Sequence, residues 1–246
     1  MKKFALMVVA VIAVAVSGCA TQQQTRGDNA LKTTSSWDVN RAVITAAERS
    51  GNYEIALKTG EEELKARPDN DEAKIVVARL LSRTGQPQRA SVLLESIKDD
   101  PDGRVLIERV RSLIAMGMGG LARGLIDEPG EMGRIQGEEN RFEANKLLAV
   151  AFDLEGEHRK AQRQYAELLA QHEDSAVRMN YGRSLIATGS YSQAAEMLMP
   201  LVESQKFPQA RILAAGALNK SGDSRLARSL LEGYLSDRQI DELMKK

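Results

Sequence analysis

Gly189-Ser190-Tyr191-Ser192-Gln193-Ala194-Ala195 and Gly51-Asn52-Tyr53-Glu54-Ile55-Ala56-Leu57 share a glycine, an aromatic residue two positions on and an alanine five positions on. The glycine–alanine pair recurs as Gly85/Ala90, Gly117/Ala122, Gly156/Ala161 and Gly222/Ala227, each time inside an apolar pattern of helical period. Successive glycines stand 34, 32, 39, 33 and 33 residues apart. A unit of that length with no strand-like alternation holds one helical hairpin, which cannot bury its apolar face alone and stacks on its neighbours. The expected fold is therefore an all-α helical-hairpin solenoid of about six repeats, with no single central core.

A second offset supports the same period. Seven residues before the glycine stand Ala78, Ala149, Gly182 and Ala215 in repeats two, four, five and six, small residues where helices approach closely. Repeat one departs with Ile44. Repeat three departs with Val110, preceded by Arg109 where an apolar residue is expected. The position two after the glycine reads Tyr53, Pro87, Gly119, His158, Tyr191 and Ser224. Arg67-Pro68-Asp69-Asn70 and Asp100-Pro101-Asp102-Gly103 read as helix stops followed by turns.

Two irregularities stand out. The 39-residue step carries extra residues around 127–141, and the breakers between Asp127 and Gly137 make this a longer loop between repeats three and four. A tolerated solenoid insertion and a partner-contact loop both fit it. At the far end, Ser236-Asp237-Arg238-Gln239 has the spacing of a capping box ahead of Ile240, Leu243 and Met244. It predicts a short capping helix that covers the last hairpin.

These marks resemble the tetratricopeptide (TPR) repeat, whose glycine turns helix A into helix B, whose aromatic wedges between hairpins and whose alanine sits at the close approach. The resemblance implies a right-handed superhelix over residues 37–246 and a groove lined by helix A that receives peptides. Mapped here, one groove position reads Thr45, Arg79, Arg111, Val150, Arg183 and Gly216, and its neighbour reads Arg41, Ile75, Ile107, Lys146, Met179 and Ile212. Arginine in such a stripe can pair bidentately with the carboxylates of a bound segment. The same arginines can instead pair with Glu48, Glu72 or Glu143 across repeats. The Lys/Asn clamp of chaperone-binding TPR domains is not reproduced: asparagine occurs at the relevant site only as Asn180.

The first residues belong to export, not to the fold. Lys2 and Lys3 precede a thirteen-residue apolar run from Phe4 to Val16, too short to span a bilayer, which reads as a signal peptide over residues 1–18. Ser17 and Gly18 lead into Cys19, the chain's one cysteine, so no disulfide framework accounts for the export. The box resembles that of bacterial lipoprotein precursors, which implies thioether lipidation of Cys19 and stable anchoring. Ala20, where an aspartate would imply retention at the inner membrane, implies the outer membrane, facing the periplasm. Residues 19–36 are polar and read as a flexible tether, reaching roughly 20–25 Å. The 34 basic and 34 acidic residues become 32 against 34 once Lys2 and Lys3 are removed, which makes no electrostatic case for nucleic acid.

Catalytic and metal motifs are absent. His158 and His172 lack acidic neighbours at metal-site spacing, no thiol remains as nucleophile or zinc ligand, and Gly117-Met118-Gly119-Gly120 follows no strand. The expectation is a non-enzymatic chain without cofactor or metal. Lipobox, tether and six hairpins together resemble TPR outer-membrane lipoproteins of pilus and secretion systems, above all the TadD family of the tight-adherence (Tad) pilus, with type IV pilotins near in architecture. That implies a protein-interaction scaffold with envelope partners, an outer-membrane secretin or another pilus-assembly component among them, and membrane contact through the lipid on Cys19. The alternative is a periplasmic adaptor for cell-wall enzymes or proteases.

Overall fold

The computed structural model describes residues 36–245; the expected signal peptide, Cys19 and all of the expected tether except Ser36 lie outside the described residues. Among the described residues the chain forms six helical hairpins, each a helix A followed by a helix B. They are α1 (Ser36–Arg49) with α2 (Tyr53–Ala66), α3 (Asp71–Arg83) with α4 (Pro87–Glu95), and α5 (Arg104–Ala115) with α6 (Gly119–Ile126). After a short α7 (Glu131–Arg134) come α8 (Glu138–Leu154) with α9 (His158–Gln171), α10 (Ser175–Ala187) with α11 (Tyr191–Glu203), and α12 (Pro208–Ser221) with α13 (Ser224–Leu231). The closing helix is α14 (Asp237–Met244). None of these helices is long and apolar enough to cross a membrane.

The six marker glycines make the turns. All have φ between 75° and 100°, a left-handed conformation that costs a residue with a Cβ roughly 1–2 kcal/mol and glycine almost nothing. The residue two positions later opens helix B in every hairpin. Repeat three keeps this register: Gly117 has φ 76° and both Val110 and Ala122 are fully buried. Arg109 interrupts nothing there, because it lies on the exposed side of α5 and donates to the Leu94 carbonyl at 3.4 Å.

Six alanines set the spacing between helices. Ala56, Ala90, Ala122, Ala161, Ala194 and Ala227 are each 0% exposed. Gly182 is tighter still: a Cβ there would come within 2.6 Å of Leu198 on α11. The core is consequently a string of apolar clusters, each shared by neighbouring helices, such as Ile44, Ala78, Leu80 and Leu94 near one end and Leu198, Leu201, Ala210 and Ala214 near the other. Each cluster is completed by the next hairpin, so stability is transmitted from neighbour to neighbour.

Helix starts are capped locally. Asn70 and Asp174 accept from the backbone N–H groups of Ala73 and Val177, at 3.1 and 2.8 Å. Asp100 reaches forward across the Pro101 turn to accept from Val105 and Leu106 at 3.0 and 2.9 Å. These carboxylates and amides satisfy donors that the first turn of a helix leaves unpaired. The cap at the C-terminal end follows the expected box, with Gln239 Oε1 accepting from the Ser236 N–H at 3.0 Å, and it delivers Ile240, fully buried, onto Ala215, Ala227 and Leu231.

The segment expected as a long loop is docked rather than free. Helix α6 is one turn or more shorter than α2, α9 and α11, and the chain beyond it turns through α7 to bury Ile135 completely. Ile135 sits on Gly103, whose absent Cβ would lie 2.8 Å from it, and Gln136 donates to the Asp102 and Pro101 carbonyls at 3.0 and 2.9 Å. Arg141 Nε then donates to the Ile135 carbonyl at 3.0 Å. Ile135 and Met132 thus supply apolar contacts beside a short helix B3, against Ile107, Val110 and Ile126.

Candidate binding groove

Helix A of four consecutive hairpins lines one cleft of about 440 Å³. It takes Thr45 and Glu48 from α1, Ile75, Val76, Arg79 and Arg83 from α3, Arg104, Ile107, Glu108 and Arg111 from α5, and Glu139 and Glu143 from α8. The structure therefore brings Arg79 and Arg111 to one surface over an apolar floor. Arg41 lies beside the cleft in a shallow depression that shares Thr45 and Arg49 with it, and Lys146 lies in another, with Phe142, His172 and Asp174, that shares Glu139 and Glu143 with it. Asn180 and Arg183 border a third hollow, and Met179, 9% exposed, belongs to the core rather than to any groove lining.

The basic stripe of the cleft is neutralised from within. Arg79 Nη2 stands 3.0 Å from Glu48 Oε2, and Arg83 is 3.7 Å from the other oxygen. Arg104 grips Glu72 with two guanidinium nitrogens, at 2.5 and 2.7 Å, and reaches Asp102 at 2.6 Å. Arg111 bridges Glu108 and Glu143, both at 2.7 Å, and Glu143 also receives Lys146 at 2.5 Å. Of the two readings open to the arginines, pairing across repeats is the one observed for Arg79 and Arg111. Glu72 does pair across repeats, but with Arg104, which the groove positions did not include. The reason is geometric: helix A of one hairpin packs on helix A of the next, so an acidic residue on one helix meets an arginine on its neighbour.

Burial sharpens these pairs. Desolvation opposes the charge of Glu143, yet Arg111 and Lys146 outweigh it and hold the carboxyl at about 2. Arg111 is raised in turn: burial works against its charge, and Glu108 and Glu143 more than compensate. Glu72 is lowered chiefly by its hydrogen bonds from Arg104. Away from the cleft, Glu63 is 1% exposed on α2; burial disfavours its charge, but bonds from Asn40, Arg67 and Asn70 at 2.8 to 3.0 Å hold its carboxyl below the ordinary value. It ties α1, α2 and the start of α3 together.

A different polar cluster organises hairpins four and five. Asp153 of α8 accepts from Ser184 Oγ of α10 at 2.6 Å and lies 2.9 Å from His158 Nδ1. Burial, then the Asp153 charge and hydrogen bond, push the Tyr165 hydroxyl well above the ordinary tyrosine value. His158 is thereby a structural link between α8 and α9, and His172 packs edge-on against Phe142 with ring centroids 5.8 Å apart. Among the described residues no group of three or more metal-ligating side chains comes together. Asp153 and Ser184 stand three and five residues before their repeat glycines, as do Ser82 and Ser112, whose hydroxyls meet at 3.1 Å between α3 and α5. That shared offset was the available signal, and it passes unnoticed without knowing that one position faces the other.

Along helix A the cleft thus presents apolar side chains and guanidinium groups already paired with carboxylates. Neither a family model nor a curated protein matches the sequence. In fold, the chain is similar to a chain of the structure described as "Crystal structure of APC/C hetero-tetramer Cut9-Hcn1", with TM-score 0.64 and 15% identity over 89% of this chain. It spans 40% of that chain's length. It is similar as well to "Crystal structure of PilW, widely conserved type IV pilus biogenesis factor", with TM-score 0.62 and 15% identity, covering 84% of this chain and 97% of that one. Both neighbours are TPR-repeat proteins, and the hairpins, glycine turns and buried alanines described above are those of a TPR solenoid.

Proposed function

We propose that this chain is a non-enzymatic TPR scaffold of the bacterial envelope, anchored in the outer membrane through a lipid on Cys19, facing the periplasm and assisting the assembly of pilus or secretion machinery. The observation that carries the reading is the mutual coverage with the pilus biogenesis factor PilW, 84% of this chain against 97% of that one, in a sequence whose Val16-Ser17-Gly18-Cys19 resembles a lipoprotein box. Within this reading the Tad pilus system is the specific setting, the helix A groove is the partner-binding face, and an outer-membrane secretin or another pilus-assembly component is the partner.

Two experiments test it. Cys19→Ser should abolish labelling by radioactive palmitate and release the chain from the outer-membrane fraction; label that survives the substitution refutes the anchor. The lipidated full-length chain, recovered from detergent-solubilised envelopes, should bring a secretin or pilus subunit with it, and removing the chain should abolish surface pili. Normal piliation without it, with cell-wall hydrolases or proteases recovered instead, would replace the scaffold's proposed role by that of an adaptor.

A further inference from the structure

The five basic residues that the sequence places along helix A do not hold their charge in the same way. Arg41 is 3.6 Å from Asp38, Arg79 3.0 Å from Glu48, Arg111 2.7 Å from both Glu108 and Glu143, and Lys146 2.5 Å from Glu143. Arg183 differs. Its recorded partner is the neutral Gln209 amide oxygen at 3.1 Å, and no carboxylate among the described residues lies within ion-pair distance. Its surroundings differ as well. The hollow beside it, about 250 Å³, has Val150, Leu154 and Ala187 on its walls and the buried Tyr165 beneath, and its one carboxylate, Asp153, is already engaged by Ser184 at 2.6 Å and His158 at 2.9 Å. Leu154 is 48% exposed, and on the next helix A Ile212 is 41% exposed, beside Gly216, where a Cβ would meet open space.

We infer that the groove takes its partner over hairpins four to six, and that the occupant is an extended segment with one carboxylate for Arg183 and apolar side chains on either side for Leu154 and Ile212. The inference rests on the proposed reading of helix A as the binding face and names what that face selects. A carboxylate arriving at Arg79 or Arg111 must displace a resident one, exchanging an ion pair for another with little gain. At Arg183 it displaces only a neutral amide oxygen, so the guanidinium gains an opposite charge that no side chain within ion-pair distance already supplies. The spacing also fits: packed helices lie roughly 8–10 Å apart and an extended chain advances roughly 3.3 Å per residue, so side chains two or three positions apart reach successive helices.

The test uses the full chain to select from a displayed library of short random peptides, whose winners are resynthesised with blocked ends and titrated by fluorescence anisotropy. Winners should carry an acidic residue with apolar residues two or three positions to each side. Arg183→Gln should weaken them roughly tenfold or more, Leu154→Ser several-fold, and Arg79→Gln hardly at all. Circular dichroism melting confirms that each variant is folded. Winners that lose affinity with Arg79→Gln and not with Arg183→Gln overturn this inference while the groove reading stands. Winners indifferent to every one of these substitutions, or a selection that yields none, overturn the groove reading itself.

Discussion

Neutralising Glu143 should remove a measurable fraction of the solenoid's stability, with a pH signature of its own. The side chain is the meeting point of Arg111 and Lys146, and its carboxyl is held at about 2 against an ordinary 4.5. At about 1.4 kcal/mol per pH unit, and discounting for the fifth of the side chain that water still reaches, this is worth about 2–3 kcal/mol. Because the folded-state value is depressed, the contribution is complete above the ordinary carboxylate range and is lost as pH falls from about 4.5 towards 2. Glu143→Gln mimics the protonated side chain at every pH while keeping its size. At neutral pH the variant should therefore unfold about 1 M earlier in urea, followed by far-ultraviolet circular dichroism. The difference from the unaltered chain should then shrink through the acid range to roughly a tenth of its neutral-pH size near pH 2, where Glu143 is half protonated, and vanish below that. A variant as stable as the parent at neutral pH, or a difference that persists unchanged into acid, would falsify the account of a Glu143 charge held against its burial by Arg111 and Lys146.

Two glycines in helix A should respond to alanine with opposite signs. Gly182→Ala places a methyl group within 2.6 Å of Leu198 and should cost about 1–3 kcal/mol, whereas Gly216→Ala meets open space and should gain about 0.5–1 kcal/mol from helix propensity alone; thermal melts that move both the same way contradict the packing. Ala161→Leu and Ala194→Leu should each lower the melting temperature by overpacking a fully buried site, again by about 1–3 kcal/mol, and unchanged melting would mean that the helices are not pinned there. Gln239→Ala removes the acceptor for the Ser236 N–H and should loosen α14 by about 1 kcal/mol, read as faster amide hydrogen exchange confined to the last hairpin; unaltered exchange there would show that burial of Ile240 holds the cap unaided.

The turns and the close approaches were legible in the amino-acid sequence because each is a constraint on one residue. A left-handed backbone at the end of helix A demands glycine whatever surrounds it, and six of them at a near-constant period disclose six hairpins. An alanine at a helix crossing is likewise dictated by distance, so Ala56 through Ala227 could be assigned to the core from their offset alone. The capping box at Ser236 is local chemistry and was readable for the same reason.

The groove was not legible in that way. Whether Arg79 and Arg111 offer their charge outward or spend it on Glu48 and Glu143 depends on where the long side chains of one helix end relative to a helix some thirty residues away. No local rule sets that meeting point. The tertiary structure alone decided it, along with the burial of Ile135 beneath Gly103 and the convergence of Asp153, His158 and Ser184. It also made Arg183 the exception, because the residue facing it on the next helix A is Gln209, where Arg111 meets Glu143 instead.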